Sequence, residues 1–129
     1  MVAIDTNIIV RFFTRDDESQ YEAAFQLIKM NEIFIPNTVI LETEWVLRFA
    51  YEFKPSEICD AFTKLFGLKN VHVSDPHAML HSIEWHRQGV DFSDAMHLAL
   101  GEQSSRFFTF DKSFVKKADS LSTIVVTGL

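Results

Sequence analysis

Three scarcities frame the reading of this 129-residue chain: one cysteine, three prolines and four glycines. A single thiol, Cys59, excludes an intramolecular disulfide framework and points to a reducing compartment. So few glycines and prolines leave little room for linkers or low-complexity tails, so residues 1–129 read as one domain. No apolar run is long enough to span a bilayer, and the opening MVAIDT has no basic stretch followed by an apolar one; a soluble, cytoplasmic protein is expected. A basic excess is also missing. Twelve Lys and Arg stand against eighteen Asp and Glu, a net charge of -6, which argues mildly against a general nucleic-acid binder.

What is present suits a globular fold. The hydrophobic fraction is 47%, with 13 phenylalanines, enough for a packed core in a chain of this length. Strand-like and helix-like segments alternate. Val2-Ala3-Ile4, Ile33–Ile35, Val71-His72-Val73, Arg106–Phe110 and Thr123–Val126 read as strands, the first of them buried. Helices are expected over Ile8–Phe13, from the Asp16-Asp17-Glu18 start through Tyr21, Ala24, Phe25 and Ile28, over Thr38 to about Phe53, and from Pro55 to near Gly67. Further helices should follow Asp75-Pro76, with Gly89 just past the end, then run from Asp91 through Ala99 and from Lys112 to Lys117. Alternation of this kind implies a three-layer α/β/α fold around a mostly parallel sheet of four to five strands. Such sheets bind ligands beyond the carboxyl ends of their strands.

Carboxylates are the conspicuous chemistry. Glu42 shares a helical stripe with Val39, Trp45, Val46 and Phe49, so it is expected to face the core, where a bare charge requires compensation. Glu44, with Arg48 four residues on, reads as an ordinary surface ion pair. Asp5 and Asp111 directly follow strands, and Asp94 lies in a first helical turn three residues after Asp91. Taken singly, each aspartate is explained as a helix cap, and Asp91 with Asp94 as the two ends of a capping box. Taken together, bare carboxylates about 5 Å apart would repel by about 3 kcal/mol per pair at an effective dielectric of 20. Convergence would therefore demand a cation, and oxygen-only donors select Mg²⁺ or Mn²⁺. Zinc is the lesser option, through His97 on the face of Asp94. Setting aside Asp5, Glu42, Asp91, Asp94 and Asp111 leaves 13 acids against 12 bases, a nearly neutral remaining surface.

Four segments, VAIDTNIIVR, VILETEWVLR, DFSDAMHLAL and FFTFDKSF, resemble in order and spacing the motifs of PIN-domain proteins, specifically the VapC-type toxins of type II toxin–antitoxin systems. The resemblance implies metal-site acids at Asp5, Glu42, Asp94 and Asp111, with Asp91 at the rim and Thr6 and Thr109 orienting carboxylates or water. It further implies a Mg²⁺- or Mn²⁺-dependent endoribonuclease acting on single-stranded RNA or RNA loops, a VapB-like antitoxin as partner, and a homodimer. Arg11, Arg15, Arg48, Lys112 and Lys116 flank the acidic motifs and are the candidates for RNA contact.

Other readings stay open at this point. A free-standing PIN nuclease in RNA processing would carry the same motifs. A phosphatase using an aspartyl nucleophile would want D-x-D, whereas Asn7 stands where the second carboxylate belongs. A non-catalytic interaction module would use Phe12, Phe13, Phe107, Phe108 and Phe114 as a contact patch, although core packing is the default for such residues. His77, His81 and His86 read as surface histidines, with no carboxylate or cysteine at ligand spacing in the sequence, and Trp85 and Cys59 read as packing.

Overall fold

In a computed structural model that describes residues 1–121 and 124–129, five strands and seven helices are found among the described residues. The order is β1 (Val2–Ala3), α1 (Thr6–Thr14), α2 (Glu18–Met30), β2 (Ile33–Phe34), α3 (Asn37–Phe49), α4 (Pro55–Phe66), β3 (Val71–His72), α5 (Pro76–Arg87), α6 (Phe92–Leu100), β4 (Arg106–Thr109), α7 (Lys112–Ala118) and β5 (Val125–Gly128). The α/β class expected from the alternation holds, and every strand pair is parallel. Hydrogen bonding groups the strands as three (β1-β2-β3) and two (β4-β5). The expected start of the last strand, Thr123, lies outside the described residues. No helix among the described residues is long and apolar enough to cross a membrane. The chain divides into two compact units, residues 1–76 and 77–129.

In the first unit β2 is the central strand, and Ile33 and Ile35 are fully buried. β1 is an edge strand whose Val2 and Ala3 are exposed, which corrects the expectation of a buried first strand; Ile4, just beyond it, is the buried residue. An apolar triplet signals a strand without saying whether it lies at the centre of its sheet or on its edge. Helix α4 buries Ile58, Cys59, Phe62 and Leu65, a spacing of one, four and seven residues that lines a single face. Each large side chain removed from water in this way contributes roughly 1.5–3 kcal/mol. Helix α3 is shorter than expected. It ends at Phe49, and Glu52 takes a left-handed conformation (φ 56°) as the Phe53 amide bonds back to the Leu47 carbonyl at 2.9 Å. Neither glycine nor proline announces that stop, so the sequence pattern ran through it. Asp17 caps α2 by accepting from the Gln20 amide at 3.0 Å, so the acidic run before that helix is spent locally.

In the second unit Gly89 takes a positive φ (105°) after α5, a conformation that any residue with a Cβ adopts only under strain. Asp91 caps α6, and Asp111 caps α7. The ring of Phe107 on β4 meets that of buried Phe114 on α7 edge to face, 5.6 Å apart, which seats α7 against one face of the β4-β5 pair.

Candidate active site

The first unit carries Asp5, Thr6 and Glu42. Asp5 ends the β1 segment as the N-cap of α1 and accepts from the Thr6 amide at 2.7 Å. The buried hydroxyl of Thr6 donates to Glu42 Oε1 across 36 residues of sequence. A single threonine thus joins two acidic motifs, holding the Glu42 carboxylate beside the helix start that Asp5 caps.

The environment of Glu42 differs from expectation. Glu42 is exposed, and so are its helical neighbours Trp45 (56%) and Phe49 (58%); the buried face of α3 is instead Ile40, Thr43, Glu44 and Leu47. Glu44, expected at the surface, is only 2% exposed and accepts from Arg48 Nε at 2.8 Å and Nη2 at 3.2 Å. This exchange of environments has a physical origin. Both faces of α3 are rich in apolar residues, and the Trp45–Phe49 pair, with ring centroids 5.0 Å apart, carries the heavier side chains although it lies outside the core. Glu44 can be buried because Arg48, one turn on, supplies two charge-assisted hydrogen bonds.

The second unit carries Asp91, Asp94, Thr109 and Asp111. Asp91 accepts from the Asp94 amide at 3.3 Å and also from the Ser93 hydroxyl, so its carboxylate is committed to the helix start. Asp94, at the third position of α6, has its pKa raised, first by burial and then by the negative charges of Asp91 and Asp111; His97 and Lys117 oppose the rise. Asp94 therefore feels the negative charge of both Asp91 and Asp111. Asp111 spends Oδ1 on the Phe114 amide at 3.0 Å, while its own amide donates to Thr109 Oγ1 at 3.0 Å, fixing the turn that presents it.

Among the described residues, no group of three or more His, Cys, Asp or Glu side chains is spaced to hold a metal ion. The donors are nonetheless suited in kind to a hard divalent cation. They are carboxylate oxygens, and Asp94 carries a like-charge penalty that such a cation would relieve.

The cationic candidates fall into two groups. Arg11 donates to Gln20 at 2.6 Å and to the Tyr51 hydroxyl at 3.0 Å, and lies 3.4 Å from Asp16. Arg15 pairs with Glu18 at 2.8 Å and lies over the Tyr21 ring, and Arg48 is held by Glu44. Lys112 and Lys116 are exposed on α7.

Two of the histidines differ from expectation. His81 is half-buried, its Nδ1 2.6 Å from Glu102 Oε1 and its ring 4.4 Å from that of His77, and it is not a free surface histidine, although no metal-ligand group is found here among the described residues. A separation of 21 residues, reaching past the end of α6, gave no sequence signal for the Glu102 contact. His86 is buried, its Nδ1 2.7 Å from the Val90 carbonyl, and is not a surface histidine. Trp85 and Cys59 are buried, as packing residues should be.

The PIN-domain family model matches residues 2–120, nearly the whole chain, and the protein belongs to that family. PIN domains are generally nucleases, typically use divalent metals and generally bind RNA. Neither the curated proteins nor the solved structures yield a significant match.

Proposed function

We propose that this protein is a Mg²⁺- or Mn²⁺-dependent endoribonuclease cutting single-stranded RNA or RNA loops, the cytoplasmic toxin of a VapBC-type toxin–antitoxin system. Residues 1–129 act as one PIN-like domain in this reading, since the family match runs through both compact units. The observation that carries it is the state of the four motif acids. Asp5 and Glu42 are tied together through Thr6, and Asp94 feels the negative charge of Asp111.

Asp5, Glu42, Asp94 and Asp111 would hold one or two ions, which when bound acidify water and neutralise charge developing on the scissile phosphate. The chain's own contribution is placement. Thr6 directs one oxygen of Glu42, and the caps at Asp5 and Asp111 each use one carboxylate oxygen on a backbone amide while leaving the other available. Asp91 sets the start of α6 and thereby the position of Asp94. Lys112 and Lys116 are the better placed of the proposed RNA contacts, because the three arginines already have partners within the chain. The partners proposed are a VapB-like antitoxin, whose basic segment suits an acidic pocket, and a second copy of the chain.

Purified protein incubated with end-labelled single-stranded RNA should cut it only when Mg²⁺ or Mn²⁺ is added, leaving 5′-phosphate ends. Asp5→Asn and Asp94→Asn should each abolish the cuts. Cleavage that persists in both variants, or in excess chelator, would refute the assignment.

A further inference from the structure

The strand that delivers Asp111 has one covered and one bare face. Exposure alternates along it: Arg106 and Phe108 are exposed while Phe107 and Thr109 are half-buried, Phe107 against Phe114, and Phe110, just past the strand, is exposed too. Phe108 is 53% and Phe110 79% exposed, which departs from the core role expected of Phe108. Parallel pairing with β5 sets Arg106 beside Val125 and Phe108 beside Thr127, and Val125 is also exposed. Phe108 on β4 and Phe110 just past its end thus leave two phenylalanine rings largely in solvent, where they contribute little to the core.

Their surroundings specify an occupant. Phe110 immediately precedes Asp111, a proposed metal-site acid, and exposed cations bracket the pair. Arg106 lies on the same strand face, and Lys112 and Lys116 lie one turn apart on α7. Exposed aromatic rings combined with exposed cations are what single-stranded nucleic acid is gripped by, bases stacking on rings while cations follow the phosphates. We infer that Phe110, the exposed ring that directly precedes Asp111, is a stacking platform for an unpaired base of the RNA, next to the scissile phosphate. This rests on the ribonuclease reading and adds to it the requirement that the bound strand be unstacked.

The test uses a short single-stranded RNA carrying one 2-aminopurine, with binding followed by fluorescence in chelator and cleavage followed in Mn²⁺. Wild type should quench the 2-aminopurine on binding. Phe110→Ala should weaken binding about 5- to 150-fold and slow cleavage, the loss expected when one stacking ring is removed. Phe110→Trp should retain affinity and quenching, whereas Phe110→Leu, apolar but without a ring face, should behave like alanine. Because Phe110 is so exposed, far-UV circular dichroism and melting should be unchanged in all three.

Wild-type affinity and cleavage in Phe110→Ala, or in Phe110→Leu, would overturn the platform while leaving the nuclease intact. Binding with quenching but no cleavage in Mn²⁺ would overturn the nuclease reading and keep the platform; a wild type that neither binds nor cuts removes both. If Phe110→Ala instead splits a dimer in sedimentation and leaves RNA affinity alone, the face serves a second copy of the chain and the inference fails.

Discussion

Replacing Arg48 with methionine separates two roles for the same side chain. Met keeps much of the aliphatic stem and removes the guanidinium, so Glu44, 2% exposed, loses the two hydrogen bonds at 2.8 and 3.2 Å. Removing one partner of a fully buried ion pair costs about 3–5 kcal/mol. The Arg48 side chain is itself 33% exposed, so water reaches this end of the pair and the expected loss is nearer about 2–3 kcal/mol. For a chain of this size, each kcal/mol moves the melting temperature by about 3–6 °C, so calorimetry should show a drop of roughly 6–18 °C. Glu44→Gln in the same background should recover part of it, because a neutral amide costs less to bury than a carboxylate that has lost its guanidinium. Melting unchanged in Arg48→Met, together with weaker RNA binding and a shallower dependence of affinity on salt, would refute the structural reading and return Arg48 to the RNA-contact set.

Two further perturbations follow from the acids. Asp94 has a raised pKa, so the folded state holds its proton more tightly than the unfolded one, and ionising it costs stability as pH rises through the carboxylate range. Without divalent ions, Asp94→Asn should therefore melt higher than wild type at neutral pH, with the difference closing in acid; a lower melting temperature would contradict the repulsion ascribed to Asp91 and Asp111. Asp16 behaves oppositely. The Tyr51 and Thr14 hydroxyls, and then Arg11, hold its pKa below the ordinary value, so its contribution is present above the unfolded pKa and lost as pH falls through the folded one. Tyr51→Phe should lose stability at neutral pH and lose less than wild type on acidification, as followed by circular dichroism; identical acid profiles would remove Asp16 from the account.

Much of this was legible in the sequence. Asp17, Asp91 and Asp111 announced their helices because a cap needs only a short polar side chain at the right place, a local requirement that local sequence satisfies. Strand positions were recovered to within a residue or two, as was the parallel pairing, because helices separate the strands. What local pattern does not carry is which of two apolar helix faces is buried. On α3 that choice depends on what packs opposite, so Glu42 and Glu44 exchanged the environments assigned to them. The His81–Glu102 contact and the left-handed Glu52 were invisible for the same reason: each depends on a partner or path distant in sequence or unmarked by glycine. The exposure of Phe108 and Phe110 runs against a sound default, since phenylalanine is usually core.

The proposed function turns on whether the four motif acids act together in binding divalent cations. Free Mn²⁺ gives an electron-paramagnetic signal that disappears on binding, which makes the question independent of any substrate. Titrated with Mn²⁺, wild type should remove one or two equivalents from the free signal, and Asp5→Asn, Glu42→Gln, Asp94→Asn and Asp111→Asn should each weaken that uptake by at least about tenfold. Wild-type uptake in all four variants, or none in wild type itself, would contradict the account.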